Sequence, residues 1–100
     1  LDVVGGNVEL FSRVRDIFAK QTPELLAAMR AALASGDLQA LARHAHKLRG
    51  SLSNFPRTRG AALAGDVESA AQTGDLARLD ALVDDLEAAV ARLTEQMASV

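Results

Sequence analysis

Cysteine, tryptophan and tyrosine are all absent from this chain of 100 residues. Without cysteine there is no disulfide framework, no thiolate nucleophile and no zinc–thiolate site. Three phenylalanines make up the whole aromatic content, too little for a base-stacking platform. A formal net charge of −2 and a pI near 5.6 provide no overall pull toward nucleic acid or an anionic membrane. No apolar run is long enough to span a bilayer and no signal-peptide pattern opens the chain, so neither a nucleic acid nor a membrane is an expected partner and the cytoplasm is the expected location. The chain begins at Leu1 with "LDVVGG", in the middle of a pattern. A single domain over residues 1–100, a module of a longer protein, is the organisation expected from this length.

Hydrophobic residues account for 49% of the chain, chiefly Ala and Leu with little Val or Ile, which favours helix over sheet. Helical spacing runs throughout. After Gly5-Gly6, Asn7 reads as an N-cap, and Val8, Phe11, Val14, Ile17 and Phe18 mark one apolar face. Thr22-Pro23-Glu24 has the order N-cap, N1 proline and first-turn acid, with Leu25, Leu26, Met29 and Leu33 as the stripe that follows; the same residues also suit a kinked continuation of the first helix. "SGDLQAL" at 35–41 and "TGDLARL" at 73–79 are two similar stop-and-start signals. In each, glycine suits the left-handed position after a helix and the aspartate caps the next one. Between them, Asp37 to about Phe55 carries Leu38, Leu41, Ala45, Leu48, Leu52 and Phe55 at helical spacing. "FPRT" then breaks the helix. The next begins at Arg57 or Thr58, with Leu63, Val67, Ala70 and Ala71 inward. The last bears Leu76, Leu79, Leu82, Val83, Leu86, Val90, Leu93 and Met97. The expected fold is all-α: an antiparallel up-down four-helix bundle with an additional or kinked N-terminal helix.

The two histidines, His44 and His46, are one residue apart on the helix that starts at Asp37. At about 100° per residue, His46 lies roughly 130° from the centre of the apolar face, on the outer surface, and His44 roughly 70° from it on the opposite flank. The rings diverge, and a metal pair on one helix needs spacing i, i+3 or i+4, so no metal site is expected. Arg43, Arg49, Gly50 and Ser53 share the face of His46. Gly50 stands out, because glycine inside a helix costs about 1 kcal/mol relative to alanine. One turn after His46, it opens room for something to approach the imidazole. From Leu38 through Gly65 there is no acid, whereas Arg43, Lys47, Arg49, Arg57 and Arg59 all fall there. Such a patch suits a phosphoryl group on the imidazole and an acidic partner surface. The bland alternatives are a solvated histidine and a helix-packing glycine.

Ala45-His46-Lys47-Leu48-Arg49-Gly50-Ser51 resembles the A-H-x-L-K-G-S motif of the histidine-containing phosphotransfer (HPt) domain of two-component phosphorelays. The resemblance continues without gaps through Leu63 and Val67 to Glu68, and more loosely over the N-terminal helix. It implies a phosphorelay carrier, not a self-sufficient kinase, in which His46 accepts the phosphoryl group and Arg49 contacts it. Arg43, Lys47, Gly50 and Ser53 would dock the partner, a response-regulator receiver domain or a histidine kinase. The domain would be a monomer with no bound cofactor, Mg²⁺ residing on the receiver. The chain departs from the family pattern at Arg49, where relatives have lysine, at Pro56, where glycine is common, and at Gly60, where an apolar residue is usual. No Gly-rich phosphate loop is present. A histidine-kinase dimerisation domain would place an acid directly after the histidine, where Lys47 stands. The other function class to weigh is a non-catalytic helical interaction domain.

Overall fold

Both "GD" turns close in the same way. Gly36 and Gly74 have φ of +76° and +75°, a conformation open to glycine at little cost. The amide of Asp37 bonds the carbonyl of Ala32 and that of Gly36 the carbonyl of Leu33; Asp75 to Ala70 and Gly74 to Ala71 repeat the pattern. These are Schellman closures. Asp37 then caps the following helix, its carboxylate accepting from the Ala40 amide at 3.1 Å.

The computed structural model describes residues 2–55 and 58–98, with side chains at 13, 15–55 and 58–96. Four helices follow one another: α1 (Asp2–Ser35), α2 (Leu38–Leu52), α3 (Gly60–Thr73) and α4 (Leu76–Ala98). Each packs on its neighbours in the chain and α1 closes on α4, an up-down bundle. Its longest dimension, 51 Å, matches the length of α1 at about 1.5 Å per residue.

Of the two readings of the N-terminal third, continuation of the first helix through Pro23 holds and a second helix capped by Thr22 does not. Asn7 starts no helix, since α1 already runs from Asp2, and Thr22 caps none, since α1 passes through Pro23 to Ser35. Thr22 is instead buried, at 3% exposure. Pro23 and Ala19, whose carbonyl loses its helical donor to the proline ring, are both on the exposed side. On the exposed side of a helix water can satisfy an unpaired carbonyl, so a proline is tolerated there. The side chains of Asn7, Val8, Phe11, Val14 and Met97, together with Pro56 and Arg57, lie outside the described residues.

Four apolar residues of α2, namely Leu41, Ala45, Leu48 and Leu52, are fully buried, against Val67 and Ala64 of α3, Val83 and Leu86 of α4, and Met29 of α1. Two residues assigned to inward stripes are exposed: Ile17 at 54% and Leu76 at 58%. Leu76 is the first residue of α4 and has no helical turn before it to pack beside. On the surface, Arg30 bridges Asp84 and Glu87, tying α1 to α4. Hydrogen bonds to Glu87 first and Asp84 second raise the guanidinium above its usual pKa.

The α2–α3 junction is longer than the spacing indicated. Helix α2 ends at Leu52 rather than Phe55; the residue before a proline disfavours helical backbone, which keeps Phe55 out of the helix, and the amide of Ser53 closes the last turn on the Arg49 carbonyl at 3.0 Å. Helix α3 starts at Gly60, not Arg57 or Thr58, but Thr58 still contributes, its hydroxyl accepting from the Gly60 amide at 3.1 Å. A Cβ on Gly60 would meet both methyl carbons of Leu52 at 3.1 Å. Leu52 is fully buried, so its methyls would have to shift by a few tenths of an ångström within a packed core to admit a side chain at Gly60. Gly60→Ala should lower stability by about 1 kcal/mol through overpacking, read as a lower midpoint of thermal unfolding.

Candidate functional site

The α2 geometry separates the two imidazoles as helical spacing required. His44 is half-buried on the flank, while the side chain of His46 is 63% exposed on the outer face. Its ring nonetheless has a fixed partner, since Nδ1 lies 3.0 Å from Oε2 of Glu68. Glu68 projects from α3 and its side chain is only 17% exposed. A carboxylate has acceptors only, so Nδ1 carries the proton and donates it. In the neutral ring this leaves Nε2 with the lone pair.

Arg49, one turn after His46, reaches the same carboxylate from the other side, with Nη1 3.5 Å from Glu68 Oε1. Its Nη2 lies 3.5 Å from His46 Nδ1. With both nitrogens bearing hydrogen, that approach is a shared attachment to Glu68 rather than a hydrogen bond between the two. Glu68 corrects the reading of an unbroken basic patch. The acid-free stretch ends at Gly65, and the carboxylate three residues later is folded back between the histidine and the arginine.

An open depression is lined by His46, Arg49, Gly50 and Ser53 of α2 and by Ala61 and Ala62 of α3. A Cβ on Gly50 would meet nothing within 4 Å. The helix-packing explanation for that glycine therefore fails, and the space beside it belongs to solvent. The Ser53 hydroxyl turns inward, donating to the Gly50 carbonyl at 2.6 Å, so this serine holds the end of α2. Arg43 is exposed but lines a separate groove with Gln39, Ala42 and Gln72. Lys47 is exposed, about 100° round the helix from His46, and lines neither. Of the residues singled out from sequence, the fold thus gathers His46, Arg49, Gly50 and Ser53, and sets Arg43 and Lys47 at the margin. Glu68 belongs to the constellation but was given no role; only its place at the end of the family motif pointed to it. Among the described residues no group of three His, Cys, Asp or Glu side chains could hold a metal ion, and no helix is long and apolar enough to cross a membrane.

The family model of the Hpt domain matches residues 13–96. The chain belongs to the Hpt family. A solved structure agrees: the crystal structure of histidine-containing phosphotransfer protein B from Pseudomonas aeruginosa PAO1 matches with a TM-score of 0.84 and 28% identity, over 98% of this chain and 89% of that one. No curated protein matches the sequence. Family membership makes this Hpt domain a phosphorelay carrier, of a class that works with response regulators and histidine kinases.

Proposed function

We propose that His46 is the phosphoryl acceptor and that the domain exchanges the group with the aspartate of a receiver or takes it from a histidine kinase. The observation that carries this reading is the pairing of an exposed ring with a largely buried carboxylate. Glu68 holds Nδ1–H, so the nucleophilic lone pair of Nε2 faces outward. In the exchange, Nε2 bonds the phosphorus of an aspartyl phosphate and the acyl P–O bond breaks. The aspartate departs as a carboxylate. Nδ1 keeps its proton, and the positive charge that develops on the ring lies beside Glu68, as an imidazolium is steadied by a carboxylate in other nucleophile–base pairs. Arg49 offers donors to the phosphoryl oxygens. Gly50 leaves the approach open, with Arg43, Lys47 and Ser53 around the contact. His46, Arg49 and Glu68 come from α2 and α3 of the same chain, so a monomer suffices. Mg²⁺, on this reading, belongs to the receiver's acidic pocket.

Mixing the domain with a phosphorylated receiver tests this directly. Label should appear on the chain as an acid-labile, alkali-stable phosphoramidate. A chain that takes no label from any receiver or kinase is an interaction module instead. Glu68 has its own signature. In wild type the ¹⁵N spectrum of the His46 ring should show the Nδ1–H tautomer. Glu68→Ala should shift it toward Nε2–H and slow phosphoryl acceptance by about tenfold, by analogy with the loss of a carboxylate that orients a metal-bound histidine. An unchanged tautomer would remove Glu68 from the mechanism.

A further inference from the structure

Gly65 sits inside α3 with none of the usual reasons for a glycine. It is at no turn, and the glycines with positive φ are Gly36 and Gly74. As an interior helical residue it costs about 1 kcal/mol relative to alanine. What lies over it is one side chain. A Cβ built on Gly65 would be 3.4 Å from Arg49 Cδ and 3.6 Å from Arg49 Nη1, with nothing else within 4 Å apart from its own helix backbone and chain neighbours. Arg49 thus crosses from α2 and lies against the bare backbone of α3. Its Nη1 then meets Glu68, one turn further along the same helix, at 3.5 Å.

We propose that Gly65 is a positioning residue for phosphoryl transfer, a seat that lets Arg49 lie flat on α3 and keeps its guanidinium beside Glu68 and the imidazole. The proposal rests on the reading of His46 as acceptor and deepens it. It also explains why arginine works where relatives carry lysine. A guanidinium is a planar fork with five donors, so one arm can stay on Glu68 while another turns to the phosphoryl group. Lysine presents a single compact ammonium on a flexible stem and has no fork to lay against the helix. The longer cation needs a flat surface to rest on, and Gly65 provides it.

The test uses a small phosphoramidate donor, which needs no docking surface. Nε2 attacks phosphorus, the donor's P–N bond breaks and ammonia leaves. Gly65→Ala places a Cβ 3.4 Å from Arg49 Cδ, an ordinary contact, so it should fold and should unfold at a slightly higher temperature. Gly65→Leu should keep its helicity but lose on the order of tenfold in labelling rate, less than the hundredfold or more of a donor in a water-free site. Arg49→Ala should lose about as much. The double variant Gly65→Leu/Arg49→Ala should lose no more than either alone, because leucine then has nothing left to displace; a merely steric block would persist. Gly65→Leu at the wild-type rate, Arg49→Ala at the wild-type rate, or losses that multiply in the double variant would each overturn the seat while leaving His46 as acceptor. Wild type without label at His46 would overturn both readings.

Discussion

His46→Gln should accept no phosphoryl group, with labelling from a phosphorylated receiver reduced by at least about a thousandfold, as removal of a nucleophile removes the reaction itself. Glutamine retains a polar side chain of similar length but its amide nitrogen has no available lone pair. The side chain at 46 is 63% exposed, and substitutions at such positions usually change stability by less than about 0.5 kcal/mol. Lost label with an unchanged thermal midpoint is therefore chemistry and not unfolding. His44→Gln is the internal control. It removes the other imidazole, half-buried on the flank of α2, and should label as wild type does. Label that survives His46→Gln and disappears in His44→Gln would move the acceptor to the flank.

How much of this could be read in advance depends on whether a feature is local. Helix α2 was legible almost whole: Leu41, Ala45, Leu48 and Leu52 recur at helical spacing and all four are fully buried. The direction of His46 follows from the same arithmetic. The two Gly-Asp turns were legible because each glycine performs a local task there, and at the first of them Asp37 caps the helix that follows. Helix α1 stood between two readings, because a proline gives the same local signal at the first turn of a helix as in the middle of one. What decides is whether the carbonyl it orphans faces water, and that depends on how α1 seats on the bundle. Thr22, apt for a cap, is buried for the same reason.

The site divides along the same line. His46, Arg49 and Gly50 share one helix and one face, so spacing finds them. Glu68 and Gly65 act across the α2–α3 interface, 22 residues beyond His46 and 16 beyond Arg49 along the chain. Their partnership exists only once Ala45 and Ala64, both fully buried, bring the helices close. Charge counted along the sequence misled for this reason. Arg49 looked like one cation in an acid-free run, yet its nearest acid is delivered by the next helix.

Gly50→Leu should leave the fold intact and cut phosphoryl transfer from a receiver by about a hundredfold, the scale on which a displacement near 1 Å at a reacting centre is felt. The fold is safe because a Cβ at position 50 meets nothing within 4 Å. Leucine is also a better helix former than glycine, so thermal stability should rise by up to about 1 kcal/mol. The loss follows from direction. Side chains on a helix lean toward its N-terminus and cover the turn before their own Cα. A leucine at 50 therefore leans over the turn that carries His46, between the imidazole and whatever approaches it. Alanine projects less far, so Gly50→Ala should fall between wild type and leucine. Stability and transfer should move in opposite directions along the series glycine, alanine, leucine. That opposition separates the open approach from its alternatives, since a glycine kept for packing would lose stability along the series and one of no consequence would leave transfer unchanged.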